Sequence, residues 1–308
     1  MNFHFIANRF GTQSQSHPGQ HVVGEPLATK PAYNAMTVDI EDYFQVQAFA
    51  DHISRSDWNG FSPRVERNTE RVLELFSEHG VKATFFTLGW VAERFPALIR
   101  RIVAEGHELA SHGYGHYRIH EQTPEEFRAD VHRTKDLLED RGQVPIKGYR
   151  AASFSIGPRT LWALDVLAEE GYRYSSSVYP IRHDLYGMPN APRFSYKPRG
   201  DDFVEVPLTT VRLFGTNVPC AGGGYFRLLP YPLTHRALQH VLRRDRQPCV
   251  FYFHPWEVDP GQPRIEGAGL RSRMRHYVNL RHMEGKLRRL LTDFAWRRMD
   301  ETFLGHAS

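Results

Sequence analysis

From residue 34 onward, short β-rich apolar runs alternate with stretches of helical period, and this alternation constrains the fold more than any other feature of the sequence. The first run is AMTVDI, 35–40, after which Val65, Thr69, Val72, Leu73 and Phe76 recur at helical spacing until His79-Gly80 stops the helix. VKATFFT, 81–87, is the next buried run, and Phe95, Leu98, Ile99, Ile102 and Val103 form one face of the following helix. HELASHG, 107–113, precedes a helix to about Arg141, opened by Thr123-Pro124-Glu125-Glu126, a capping box with proline at the first helical position. KGYRA (147–151), a helix from about Pro158 to Gly171 and YRYSSSV (172–178) continue the pattern.

Repeated strand-helix units predict a parallel sheet covered by helices, either a barrel or an open doubly wound sheet. Gly222-Gly223-Gly224 makes neither GxGxxG nor a P-loop, so the nucleotide fingerprints of the open sheet are not found. The expected fold is α/β, a distorted (β/α) barrel of seven or eight units. Residues 1–34, rich in Gln, Ser, His, Gly and Pro, read as a disordered extension, and 35–300 as a single barrel. A Pro-, Gly- and aromatic-rich stretch at about 180–230 reads as a loop or hairpin insertion over the barrel mouth. A helix near 232–244, the strand CVFYFHP (249–255) and a basic C-terminal helix at about 279–297 complete the chain. Met36 as an alternative start would clip the first strand.

With 39 Lys+Arg against 35 Asp+Glu, the net charge of +4 is too mild for a polyanion-binding protein, and no basic run interleaved with aromatics is found; no nucleic-acid partner is expected. Two cysteines, Cys220 and Cys249, imply neither a disulfide framework nor a cysteine metal site. The N-terminus lacks the pattern of a signal peptide, and no apolar stretch reaches the ~20 residues of a spanning helix. A soluble cytoplasmic protein is expected.

Polar and ionisable residues cluster where the barrel strands should end. TVDIED places Asp39, Glu41 and Asp42 after an apolar run, where buried carboxylates need a compensating charge. His112 and His116 in SHGYGH have a spacing that lets two imidazoles face one metal, although among 17 histidines His17/His21 and His116/His120 share that interval. Position adds what spacing lacks. In a parallel barrel the strand ends converge, so two imidazoles and one carboxylate meet around a hydrated divalent cation with room for substrate.

TVDIEDYF, TFFTLGW, HELASHGYGH, GYRAASFSI and FYFHPWEVD occur in an order that resembles polysaccharide deacetylases of the carbohydrate esterase type, with a NodB homology domain, over 34 to about 300. GGGYFRLLPY, HPWEVDPGQPR and RMRHYVNLRHMEGKLRRLL resemble the subgroup associated with exosortase-linked exopolysaccharide gene clusters. The resemblance implies a NodB-like barrel, metal-dependent hydrolysis of N-acetyl groups from N-acetylhexosamine units, and a divalent metal, zinc foremost. It implies Asp39 as general base, His112 and His116 as metal ligands, and a third ligand that is Glu41 or Asp42. A D-x-acid variant in related deacetylases favours Glu41, and the shorter side chain favours Asp42. Arg150 in GYRAAS would orient the base, and His254 in YFHP would be the general acid. No clear acid tunes His254; Glu205 and Asp184 are the candidates considered.

Among the aromatics Trp90, Tyr114, Tyr225, Phe226 and Trp256, the substrate-binding candidates are Tyr225 and Trp256, with Arg227 as a contact to sugar or an acidic substituent. The substrate is expected to be an N-acetylated or lipid-linked glycan. Arg281, Lys286, Arg288 and Arg289 on the last helix offer a peripheral membrane contact. Competing readings are allantoinase-like opening of a small cyclic amide and a non-catalytic carbohydrate-binding protein.

Overall fold

The computed structural model describes residues 33–183, 186–200 and 202–305. The disordered extension expected over 1–34 therefore lies outside the described residues, apart from Tyr33 and Asn34. The strands are β1 (Asn34–Ile40), β2 (Thr84–Thr87), β3 (Glu108–Ser111), β4 (Gly148–Tyr149), β5 (Tyr174–Ser175), β6 (Val204–Glu205), β7 (Thr210–Leu213), β8 (Thr216–Pro219), β9 (Val250–Phe253) and β10 (Trp296–Arg297). The helices are α1 (Val65–Glu78), α2 (Gly89–Arg94), α3 (Pro96–Ala104), α4 (Pro124–Gly142), α5 (Trp162–Glu169), α6 (Gly223–Leu228), α7 (Tyr231–His240), α8 (Leu270–Tyr277), α9 (Leu280–Asp293) and α10 (Met299–Phe303).

Seven parallel strands lie side by side in the order β9-β1-β2-β3-β4-β5-β6, and β10 pairs with the start of β1. Among the described residues no ladder joins β6 to β9. That seam is spanned instead by the Val250 amide donating to Thr209 Oγ1 (2.7 Å) and by a bridge between Gly222 and Tyr252. The result is a curled, helix-covered barrel of seven staves.

The two-residue period of a strand decides which side chains enter the barrel. Met36, Val38 and Ile40 pack outward with Phe85, Phe251, Phe253 and the α1 residues Val72, Leu73 and Phe76. Ala35 instead clusters with Phe86, Ala110, Tyr174, Val250 and Tyr252. Thr37 and Asp39 share that inner face, as do His112 two residues beyond Ala110, Arg150 two beyond Gly148, and His254 two beyond Tyr252. Glycine is required at 148, because a Cβ there would meet the Tyr174 ring at 2.1 Å.

Asp42 has a structural duty. Its Oδ2 accepts from the amides of Arg64 (2.6 Å) and Val65 (2.9 Å) at the start of α1, and its Oδ1 from the Tyr43 amide (2.8 Å). It tethers the β1 loop to α1 and is not with the two histidines, which corrects its candidacy as a metal ligand. Asp42→Ala is expected to destabilise the fold by about 2 kcal/mol, since it removes a helix cap and leaves buried amides unpaired. Chemical denaturation checks this, and metal content should stay that of the wild type.

Three elements depart from the sequence expectation. β6 lies within the stretch read as an insertion yet is a stave of the barrel; the antiparallel β7–β8 hairpin follows it. The C-terminal helix ends at Asp293 rather than 297, and Trp296 turns into the short β10, its Nε1 donating to Leu290 O (3.0 Å). Lys286, read as a surface cation, donates to the Phe226, Arg227 and Leu229 carbonyls, while Arg288 pairs with Glu78 and Glu284 and the Arg289 guanidinium lies 4.3 Å from the Tyr231 ring centroid. No helix among the described residues is long and apolar enough to cross a membrane.

Candidate active site

Asp39 and Arg150 form an ion pair inside the barrel. Arg150 Nη1 donates to Asp39 Oδ1 (2.6 Å) and Thr37 Oγ1 (2.7 Å), and its Nε and Nη2 donate to Ser176 O (3.1 Å) and Ser176 Oγ (3.0 Å). The guanidinium is 0% exposed and lies 4.1 Å from the Phe86 ring centroid. Such a clamp fixes one carboxylate oxygen and leaves the other for chemistry.

Glu41, His112 and His116 come together, each offering one ligand atom within 4.8 Å of the others, and all three are buried. His112 Nδ1 is 2.8 Å from the Arg150 carbonyl; that contact assigns the ring proton to Nδ1 and leaves the Nε2 lone pair available. The histidine loop is pinned from both sides. Asp130 accepts from the Tyr114 amide (3.2 Å), and Arg55 donates to the carbonyls of Gly115 (2.6 Å) and His116 (2.9 Å). His116 is held at φ 53°, a conformation that costs a non-glycine residue free energy and recurs at functional sites.

Electrostatics suit a cation at this point. Burial lowers the pKa of His112 and takes that of His116 well below the ordinary value, keeping both rings neutral, as ligands must be. Burial also pushes Glu41 up to about 7, against the lowering effects of His254 and of the Trp256 indole. Glu41 Oε1 accepts from Trp256 Nε1 (3.2 Å), but its buried Oε2 has no hydrogen-bond partner, although His116 Nε2 is 3.1 Å away. An orphaned carboxylate oxygen facing two neutral imidazoles fits a divalent cation, and the mixed N/O donor set fits zinc.

On the other wall, His254 Nε2 lies 4.0 Å from Asp39 Oδ2 and 3.5 Å from Glu41 Oε1. Its Nδ1 is 2.8 Å from Glu257 Oε1, which also accepts the His254 amide (3.0 Å). Burial alone would lower the His254 pKa, but Glu41, Glu257 and Asp39 outweigh it and raise the value to about 9. Burial opposes ionisation of Glu257 as well, and Arg227 and His254 prevail, so its pKa falls below the ordinary value. The acid paired with His254 is thus Glu257, which the sequence reading missed. Glu205, considered for that role, accepts the Ser177 and Val178 amides instead, and Asp184 lies outside the described residues.

Arg227, expected to contact substrate, is buried behind this pair. Its Nε donates to Glu257 Oε2 (2.5 Å), Nη1 to the carbonyls of His276 (2.6 Å) and Val278 (3.0 Å), and Nη2 to Arg275 O (3.0 Å). Trp256, expected to stack on sugar, is 5% exposed, sandwiched between the His254 and His276 rings and bonded to Glu41; one edge of it lines the cavity. Tyr225, half-buried on α6, is not at this cavity but in the next one. The catalytic cavity has a volume of about 150 Å³, with Asp39, Glu41, His112, His116, His254 and Trp256 in its lining.

A seven-stave parallel barrel with ionisable residues converging at the C-terminal strand ends belongs to the class of (β/α)-barrel folds. Within that class, residues 58–175 match the family model for polysaccharide deacetylase. Residues 176–304 match a domain of unknown function, DUF3473. A chitooligosaccharide deacetylase of Sinorhizobium fredii is 32% identical over 145 residues, 47% of this chain and 61% of that protein. A peptidoglycan-N-acetylglucosamine deacetylase of Bacillus cereus is 39% identical over 70 residues, 23% of this chain and 26% of that protein. The chain thus matches between about a quarter and three fifths of the length of these two relatives. Among solved structures, a Mycobacterium smegmatis polysaccharide deacetylase superposes with TM-score 0.57 at 20% identity, covering 92% of this chain and 93% of that one. The Puue allantoinase superposes with TM-score 0.55 at 15% identity, covering 89% and 90%. Both share the fold.

Proposed function

We propose that the protein is a metal-dependent deacetylase that removes N-acetyl groups from N-acetylhexosamine units of a polysaccharide or its precursor, acting in exopolysaccharide biosynthesis. The observation that carries this reading is the convergence on one cavity of a clamped carboxylate, a His-His-carboxylate ligand set and a histidine backed by a carboxylate. The named activities of the Sinorhizobium and Bacillus relatives support it. Glu41, His112 and His116 would hold the cation, zinc in this reading, which when bound polarises the amide carbonyl and acidifies water.

The chain's own residues do the proton work. Asp39, held by Arg150, takes the proton of the attacking water. His254 carries its mobile proton on Nε2 while Nδ1–H donates to Glu257, and it passes that proton to the departing amine. Acetate leaves and a free hexosamine amine remains. The reading includes a cytoplasmic site of action on a nascent or lipid-linked glycan, in keeping with two buried free thiols.

The test is acetate release from N-acetylglucosamine oligomers by zinc-loaded protein, with metal content measured in parallel. Wild type should hold one metal per chain and release acetate; His112→Ala should lose both. Wild-type protein that binds no metal, or a variant that releases acetate normally, would refute the mechanism. Turnover of a cyclic amide with none on glycans would move the protein to the allantoinase-like reading.

A further inference from the structure

The two-residue turn that joins β7 to β8 carries an unexpected side chain. Phe214 and Gly215 both have positive φ, 48° and 78°, as the tightest hairpin turns require and as the pair Asn-Gly adopts most readily. A phenylalanine in that left-handed conformation is a steric outlier, and it gains no packing in return, because Phe214 is fully exposed (106%) and Leu213 beside it is 44% exposed. Strain with no local contact to offset it directs attention to a contact outside the chain. The tip is also firmly held. Val211 is buried in the core, Arg193 Nη2 donates to Thr210 O (2.7 Å), and Asn217 Nδ2 donates to Pro180 O (2.9 Å).

Cations gather at the base of the same hairpin. The Arg193 Nη2 that holds Thr210 O also donates to Asp245 Oδ2 (2.8 Å), which fastens the π-helical turn Val241–Asp245 to β7. Arg212, just after Thr210, and Arg243, Arg244 and Arg246, flanking Asp245, are all exposed, and among the described residues none of the four has an ion-pair partner. Asp245, the acid between them, is taken by Arg193. The mild net charge of the chain conceals this local excess.

We propose that the β7–β8 hairpin and the arginine turn beside it form a docking surface for an anionic lipid bilayer. Phe214 and Leu213 enter the boundary between headgroups and acyl chains, and the four guanidinium groups meet lipid phosphates, which they match in a two-bond fork. A protein partner needs on the order of 1,000 Å² of complementary surface, far more than a two-residue apolar tip presents. A bilayer needs only a protruding apolar anchor with cations around it. The C-terminal helix, which the sequence offered for this contact, has Lys286, Arg288 and Arg289 engaged within the fold. Docking holds the enzyme at the surface where a lipid-linked glycan lies, and it does not depend on that glycan being the substrate.

The experiment is flotation of the full chain with vesicles of pure phosphatidylcholine and of an equal mixture of phosphatidylcholine and phosphatidylglycerol, at low and high salt. Wild type should bind the anionic vesicles at least tenfold more tightly than the neutral ones, and high salt should weaken that binding. Phe214→Ser and the double variant Arg243→Glu/Arg244→Glu should each bind the anionic vesicles at least tenfold more weakly, with thermal melts confirming that both fold. No flotation of the wild type, equal binding to both kinds of vesicle, or binding unchanged in either variant would overturn the proposal. Dimers in sedimentation that Phe214→Ser dissolves, without vesicle binding, would overturn it too and assign the tip to contact between copies. Acetate release without vesicle binding removes the docking surface and leaves the deacetylase reading standing; vesicle binding without acetate release does the reverse.

Discussion

Replacing Asp39 by asparagine is expected to lower acetate release by roughly 10²–10⁴-fold, the range contributed by a positioned general base, while metal content stays at one per chain. Asparagine keeps the shape of aspartate, and its oxygen still accepts from Arg150 Nη1, now 2.6 Å from Asp39 Oδ1. What it lacks is a second oxygen able to take a proton. Glu41, two residues along, and the two histidines retain their positions, so the ligand set survives. Because Arg150 is fully buried, losing its counterion also weakens the fold, and a melt must accompany the rates. A folded, metal-loaded Asp39→Asn protein with wild-type rates would remove Asp39 from the mechanism.

Arg227→Met is expected to cost about 3–5 kcal/mol of stability, the loss seen when one member of a buried ion pair is removed. Arg227 is 2% exposed, and four of its bonds, to Glu257 and three carbonyls, would be lost together. Denaturant unfolding gives the number, and a loss below 1 kcal/mol would contradict the buried geometry. Glu257→Gln tests the chemistry, with a melt alongside the rates because it leaves the buried Arg227 guanidinium without its counterion. Glu257→Gln removes one of the carboxylates that raise His254 to about 9, so the alkaline limb of the rate profile, where the general acid loses its proton, should move to lower pH.

The same pair sets a stability window. The raised His254 pKa contributes stability that is fully present below its unfolded value of about 6.5 and lost as pH rises through about 9. The depressed Glu257 pKa contributes stability present above the ordinary carboxylate value and lost as pH falls through its lowered folded value. Unfolding free energy in Glu257→Gln should therefore vary less with pH at both ends than in the wild type.

Much of this site was legible in the sequence, and the reasons are local. The choice between Glu41 and Asp42 follows from period two: Asp39 and Glu41 share a side of the strand, and Asp42 falls on the other, where it caps α1. Glu257 carried a signal that went unread. It stands three residues after His254 at the start of the 3₁₀ turn Pro255–Val258, the position from which a glutamate reaches back to the residue before a helix. Arg227 gave no such sign, because its partners come from 257 and from 275–278 and only the folded chain brings them together. β6 and β10 have two residues each, too few to display any period.

The division between the two family matches, at 175/176, falls at the end of β5, and Ser176 just beyond it holds the guanidinium of Arg150 from before it. Asp39 and Glu41 precede both matches, His112, His116 and Arg150 belong to the first, and His254 and Glu257 to the second. The boundary is a seam in the sequence and not in the machine. Expressed as separate halves, neither polypeptide would own a complete proton-transfer path, and only reassembly of the two into one barrel would restore it.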